Sequence, residues 1–311
     1  MAYDHIPVML ADVIQRLNPK PGNTLVDGTV GGSGHAAAIC NAIKPDGIFI
    51  GLDQDRDAID NANRVLKGFK TTVHLYHGNF VQMPDFLSQM NIPAVHGILL
   101  DLGISFHHLA ASGRGFSFRK DEPLDMRMDT RSDVSAQELV NELDEPVLRR
   151  LFQRYGEEPW SKQIARRIVL ERKQQPIHSS RQLADIVSQA VPRARWKPGF
   201  HPATRIFMAL RIVVNKELER LEQFLETAAD FLRPGGRICV LSFHSLEDRI
   251  VKHRFRALEN PCTCPPDLPV CACGKQATLK VLTRKAQRPS AEEVMINPMA
   301  RSTKLRAAEK L

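Results

Sequence analysis

At 311 residues the chain is longer than one small module and has room for about two domains at roughly 150 residues each. A hydrophobic content of 43% with 25% charged residues excludes a disordered chain, and apolar runs as short as Ile48 to Leu52 exclude a membrane-crossing helix, which takes roughly 20 residues. The net charge of +8 is unevenly placed: residues 1–103 hold 7 basic against 10 acidic side chains, whereas residues 149–211 hold 14 against 4, among them Arg149, Arg150, Arg166, Arg167, Arg193, Arg195 and Lys197. Such a stretch suits a phosphate-bearing partner, although a solvated helical face has the same composition. Asp4, His5 and Pro7 stand where a secretory signal would carry a basic start and an apolar run, so a cytoplasmic location is expected.

The first hundred residues alternate short β-rich runs with helical patterns, which is how a parallel sheet of βαβ units reads. Strands are expected at 24–27, 48–53, 73–76 and 98–101, with helices at 35–43 and 56–66, the second carrying Ile59, Ala62, Val65 and Leu66 on one face. After Gly103 the alternation stops, and helices at 136–143, 146–155, 161–172 and 181–190 read as an all-α insertion. From about Val213 the α/β pattern resumes. Leu218, Leu221, Leu225, Ala228 and Leu232 are spaced as a helix, Pro234-Gly235-Gly236 turns, and 237–241 reads as a strand. The Pro- and Cys-rich stretch 261–274 reads as a loop, and 280–283 with 303–307 as an edge hairpin. The expected organisation is an α/β fold formed by 1–105 and 213–311 around a helical domain of 106–212.

Three of the first four strands end in Asp, and ligands of open α/β sheets bind beyond those ends. Val26-Asp27-Gly28-Thr29 is followed by Gly31-Gly32-Ser33-Gly34-His35, where glycines let the backbone approach a ligand. Gly32-x-Gly34-x-x-Ala37 also fits a dinucleotide fingerprint, with Asp53 as the ribose acceptor. Asp27 separates the readings, because a carboxylate there would repel a pyrophosphate yet suits a ligand bearing a sulfonium and an amino group. S-adenosyl-L-methionine is therefore favoured over NAD. Asp53 is expected at the ribose hydroxyls, the alternative being an N-cap for the helix from Arg56. Asn79 and Phe80 fall where an adenine would lie, the alternative for Phe80 being core packing. Asp101 closes the fourth strand inside the same crevice.

The motifs Asp27-Gly28-Thr29, Asp101-Leu102-Gly103-Ile104-Ser105, Gly113-Arg114-Gly115-Phe116-Ser117-Phe118 and Pro123-Leu124-Asp125-Met126-Arg127-Met128-Asp129 follow in order. After them come His201-Pro202-Ala203-Thr204-Arg205, Ala209-Leu210-Arg211-Ile212, Ser242-Phe243-His244-Ser245-Leu246-Glu247-Asp248-Arg249 and Asn297-Pro298 with Ala300-Arg301-Ser302. Through these the chain resembles, over nearly its whole length, the RsmH (MraW) family of bacterial 16S rRNA cytosine-N(4) methyltransferases. The resemblance implies a class I, Rossmann-like methyltransferase fold with an inserted all-α substrate-recognition domain. It implies S-adenosyl-L-methionine contacts at Ser33, Gly34, His35, Asp53, Phe80, Asp101 and position 108. Here the chain departs from the family, reading Ser105-Phe106-His107-His108 where a second Ser and a terminal Gln are usual. The implied partner is 16S rRNA in the small ribosomal subunit, with no membrane; a homodimer is compatible with it.

An exocyclic cytosine amine is a poor nucleophile because its lone pair is delocalised into the ring, so positioning and a hydrogen-bond acceptor are the catalytic needs. Asp101 is the expected acceptor. No cysteine nucleophile is required, and Cys40 and Cys239 read as buried. Arg114, Phe116, Phe118, Arg205, Arg211 and His244 are the expected substrate contacts, the two Phe rings as stacking partners for an unstacked base and the arginines at phosphates or bases. Cys262-x-Cys264 and Cys271-x-Cys273 bring four thiols into twelve residues, but the spacing differs from the usual zinc pattern and no metal is assigned. The competing readings are an NAD-dependent oxidoreductase and a non-enzymatic RNA-binding ribosome-assembly factor with a cofactor-type fold.

Overall fold

The computed structural model describes residues 7–196, 199–265 and 272–311. It divides into two compact units, one formed by the chain up to Gly103 together with Leu218–Leu311, the other by Ile104–Glu217. The first unit is a seven-stranded sheet of β1 (Thr24–Asp27), β2 (Ile48–Asp53), β3 (Thr72–His77), β4 (Val95–Asp101), β5 (Leu232–Ser242), β6 (Leu279–Val281) and β7 (Lys304–Lys310). Their order is β3-β2-β1-β4-β5-β7-β6, parallel except for β7, which runs antiparallel to both its neighbours. This is the class I methyltransferase arrangement.

The central strands are apolar without a break because successive side chains enter opposite faces, both of them covered. Val26, Ile50, Ile98, Leu100 and Val240 point into one layer, with Met83 and Leu87 from the helix Met83–Gln89, Leu221 and Leu225 from Glu217–Thr227, and Val251 and Phe255 from Ser245–Glu259. Leu25, Phe49, Leu99, Cys239 and Leu241 point into the other, against Val13 and Leu17 of Leu10–Leu17, Ile39 and Ile43 of Gly34–Ile43, and Ala62 of Arg56–Val65. Strands β1 and β2 have the expected bounds. Pro234-Gly235-Gly236 is not a turn leading into a strand but part of β5 itself: pairing with β4 jumps from Val95 opposite Leu232 to Gly97 opposite Arg237, which places the three residues in a bulge.

The second unit is helical. Four of its helices, Glu145–Gly156, Ser161–Arg172, Ser180–Ala190 and Ala203–Val214, each bury one i,i+4 pair completely: Leu148 with Phe152, Ile164 with Ile168, Leu183 with Val187, and Ile206 with Leu210. A fifth helix, Ala136–Glu142, begins in a reciprocal capping box between Ser135 and Glu138. The joints fall at 103/104 and 217/218 rather than at the expected 105/106 and 212/213. The later joint moves because Val214 is buried in the helical core and Asn215 ties the end of its helix to the Pro123 to Asp129 segment, accepting from Met128 N–H at 2.8 Å and donating to the Met126 carbonyl at 2.8 Å. No helix among the described residues is long and apolar enough to cross a membrane.

Candidate functional site

From β1 the chain steps outward to β2 and β3, then returns to place β4 on the other side of β1. At such a reversal a crevice opens beyond the carboxyl ends of the strands. Asp27, Asp53 and Asp101 end β1, β2 and β4. Thr29 ties two of these ends together: its N–H donates to Asp27 Oδ1 at 3.0 Å, and its Oγ1 accepts from the Asp101 N–H at 2.6 Å. The remaining oxygens, Asp27 Oδ2 and Asp101 Oδ1, are buried and accept no hydrogen bond among the described residues. Buried acceptors without a donor carry a desolvation cost of about 1–3 kcal/mol each, so this pair of oxygens calls for donors from outside the chain. An ammonium-bearing ligand meets that need and a pyrophosphate does not.

His35 lies in the first turn of the helix Gly34–Ile43 and is buried. Its Nε2 is 3.0 Å from the Val8 carbonyl and its Nδ1 is 3.4 Å from Asp101 Oδ2. A carbonyl can only accept, so Nε2 carries a proton, and only the imidazolium donates at both nitrogens. Burial alone pulls the imidazole pKa down, but the hydrogen bond and charge of Asp101, helped by the charge of Asp27, outweigh it and the net shift is upward.

Ser33, with φ 67°, is buried, and its hydroxyl accepts from Asn61 Nδ2 at 3.3 Å. Its side chain is thereby turned toward the helix Arg56–Val65, leaving its backbone as the part able to meet a ligand. Two of the glycines also answer to packing of the chain on itself. A Cβ on Gly34 would lie 2.8 Å from the Pro7 ring, and one on Gly28 would lie 2.5 Å from Leu100 Cδ2. Asp53 accepts the Gly31 N–H on Oδ2 and the Asp55 N–H on Oδ1, both at 2.9 Å. The helix cap is Asp55, which accepts from Asp57 N–H, so Asp53 shapes the glycine loop and keeps a lone pair on each oxygen.

Burial pushes the Asp27 carboxyl up to about 6, against the lowering influence of Thr29 and His35. Burial also pushes Asp53 up to about 7, against the hydrogen bonds from Asp55 and Gly31. The unfolded chain releases these protons near the ordinary 3.8. The folded protein therefore binds more protons between those values, and its stability falls as pH rises through them; for Asp27 the shift corresponds to at most about 3 kcal/mol. Asp248, held below the usual range by Arg306 and Lys304 against its own burial, works the other way and loses its contribution only at lower pH. We expect the thermal midpoint of the ligand-free protein to fall between about pH 5 and pH 7.5, and the fall to shrink in Asp27→Asn. Melting curves at a series of pH values check this; a rising midpoint over that range would overturn it.

Two expected contacts of this unit serve the fold. Phe80 is buried in the core, its ring edge-on to Phe224 at 5.3 Å, which is the packing alternative. His244 is the N-cap of the helix Ser245–Glu259, its Nδ1 accepting from Glu247 N–H in a capping box. Cys40 and Cys239 are buried, and burial pushes both thiols up to about 12, which makes neither a nucleophile.

A family model for the MraW methylase family matches residues 2–311 of the chain. The chain belongs to the MraW methylase family. It is 54% identical over 309 residues to the ribosomal RNA small subunit methyltransferase H of Desulforapulum autotrophicum, covering 99% of each chain. The proteins of the same name from Desulfosudis oleivorans and Geobacter sulfurreducens are 52% and 50% identical to it, each covered in full.

In this MraW-family chain the helical unit holds the other residues expected at the site. His108 is buried, its Nδ1 engaged with Ser105 in a capping box at the start of the short helix Phe106–Ala110 and its ring 4.8 Å from that of Phe116. Phe116 belongs to the helical core and is not an open stacking platform, since the burial that stabilises the unit has already used its faces. Phe118 is half-buried, stacked on His201 at 4.5 Å and edge-on to Phe207. Arg114 donates to the carbonyls of Arg127 and Met128, fixing the Pro123 to Asp129 segment. Arg211 is corrected outright: it is buried and paired through two nitrogens with Glu217 at 2.8 and 2.9 Å, so its charge is spent inside the unit. Arg205 remains half-exposed beside Phe200 and the Glu157 carbonyl. Of the basic stretch, Arg149, Arg150, Arg166, Arg193 and Arg195 are exposed, Arg167 pairs with Glu171, and Lys197 lies outside the described residues.

Sequence reasoning did not single out Thr29, Asn61, Asn215 or the Val8 carbonyl as parts of this framework. Thr29 had a signal, because a hydroxyl two residues after a strand-ending Asp is placed to bond back to it.

Proposed function

We propose that this chain transfers the methyl group of S-adenosyl-L-methionine to the exocyclic N(4) amine of a cytidine in the decoding region of bacterial 16S rRNA. The observation that carries the reading is the pair of buried, unpartnered oxygens, Asp27 Oδ2 and Asp101 Oδ1, at the ends of the two strands that flank the reversal. The name shared by the full-length relatives supports rRNA of the small subunit as the substrate class.

The cofactor, when bound, supplies an electrophilic methyl group on a sulfonium. Asp27 offers Oδ2 to the ammonium end. Asp53 offers the free lone pairs of its two oxygens to the ribose hydroxyls. The backbone of Ser33, Gly34 and His35 lines the same crevice, and Phe80 stands behind it as a packed wall. Asp101 accepts an N–H of the cytosine amine on Oδ1, which holds the nitrogen lone pair toward the methyl carbon and takes up the proton as the N–C bond forms and the S–C bond breaks. His35 keeps Asp101 oriented from the opposite oxygen. In the helical unit, the exposed arginines with Arg205 form the phosphate-facing surface, Phe118 is the half-buried ring left for the RNA, and His108 supports the loop that follows β4.

The test is transfer of labelled methyl from S-adenosyl-L-methionine to small ribosomal subunits from a strain lacking the enzyme, followed by nucleoside analysis. Label in N(4)-methylated cytidine is the expected result. Label in another nucleoside would overturn the cytidine assignment, and no label with mature or immature subunits would favour the assembly-factor reading.

A further inference from the structure

The loop between the helix Ser245–Glu259 and β6 takes no part in the proposed reaction. Its neck is closed: Thr278 N–H donates to the Leu258 carbonyl at 2.9 Å, and Val281 N–H to Glu259 Oε1 at 2.9 Å. Between Glu259 and Thr278 none of the described residues is buried, so none of them anchors the stretch in a hydrophobic core. Long segments without secondary structure or core are held by other means when they are ordered. Here the chain supplies sulfur. Cys262, Cys264 and Cys273 each bring one sulfur to within 4.8 Å of the others, although Cys262 is exposed and the other two are half-buried. Cys271 lies outside the described residues.

Three sulfurs converging on one point is a ligand arrangement rather than a redox pair. A disulfide joins two sulfurs at about 2 Å and would leave the third packed against it. A tetrahedral zinc with bonds of about 2.3 Å holds its sulfurs about 3.8 Å apart, so closing this cluster on an ion asks for an inward movement of about 1 Å or less. Soft thiolate donors select zinc, copper(I) or iron–sulfur centres over magnesium or calcium. The Cys-x-Cys pairing departs from the common two-to-four-residue spacing, and it is the spatial convergence that supplies the site.

We propose that Cys262, Cys264 and Cys273 bind a structural zinc ion as thiolates and so hold the loop that precedes the edge strand β6. Binding releases the thiol protons to solvent and changes no oxidation state. The helix Ser245–Glu259 begins beside the carboxyl end of β5 and runs 15 residues, about 22 Å, before the loop begins. The ion therefore acts on the loop and not on the transferred methyl group.

The experiment is elemental analysis of the full-length protein purified without chelator. About one zinc per chain is expected, falling at least tenfold in the variant carrying C262S, C264S and C273S, with methyl transfer retained. Should that variant fail to fold, the wild-type protein still decides: titration with a mercurial thiol reagent should release the zinc in step with three or four thiols modified. Cobalt(II) added to stripped protein should give the intense thiolate charge-transfer absorption of a tetrahedral site. Metal-free protein with all loop thiols reacting at once would overturn the proposal. An intact mass two hydrogens short would replace it with a disulfide, and zinc retained by the folded triple variant would place the ion elsewhere.

Discussion

Asp101→Asn is expected to lower the rate of methyl transfer by about a hundred- to ten-thousand-fold, the range for loss of a positioned acid–base group, while cofactor affinity changes by less than about tenfold. The substitution keeps shape, and it keeps the backbone link from Asp101 N–H to Thr29 Oγ1 that fixes the end of β4. What it removes is the negative charge facing the amine and the charge that draws His35 Nδ1 to 3.4 Å. An acceptor needed as nitrogen loses its proton acts in the transition state, so its loss appears in turnover and not in ground-state binding. Single-turnover transfer and an equilibrium titration with the cofactor separate the two. Near-normal turnover would remove Asp101 from the chemistry. A parallel loss of affinity would make it a cofactor anchor, a role then shared with Asp27.

The parts of this molecule that were legible in the sequence are those governed by period and composition. Strands β1 and β2 could be bounded because they are buried on both faces, hence apolar throughout, and end abruptly at an Asp. Helices whose buried faces repeat at i,i+4, such as Ser161–Arg172, could be placed for the same reason. The helix Ser245–Glu259 was not, since its cap is His244, a residue type with little claim to that position. Side-chain fate was harder to read than backbone. Arg205 and Arg211 look alike in a motif, yet Arg211 is neutralised by Glu217, which lies beyond the end of its own helix. Phe116 carries no mark that distinguishes a stacking platform from a core residue. The three strand-end carboxylates stood out because an acidic residue after an apolar run has few structural uses. His35 was expected only as a cofactor contact; its part in orienting Asp101 was not legible, because half of it rests on the Val8 carbonyl and a backbone acceptor has no letter in the sequence.

His35 supplies the second large effect. In His35→Gln the side chain can still donate one N–H, but no positive charge stands between the Val8 carbonyl and Asp101. We expect turnover to drop by about 10- to 100-fold, in line with a carboxylate free to rotate off the line of attack. The pH dependence distinguishes positioning from a merely structural role. In the wild-type protein the imidazolium, its pKa raised on balance by Asp101 and Asp27 against burial, is lost as pH climbs through that raised value. Its stabilising contribution is complete below the ordinary 6.5 and disappears over the same interval, so turnover and stability should decline together on the alkaline side. The variant has no such group, and its turnover should be low but level where the wild-type rate falls. Rate–pH profiles under saturating cofactor, with melting curves at each pH, measure both. A variant that loses activity yet keeps the wild-type alkaline limb would show that another group titrates there and that His35 serves the fold alone; a variant with wild-type turnover would show that Thr29 and the end of β4 hold Asp101 without it.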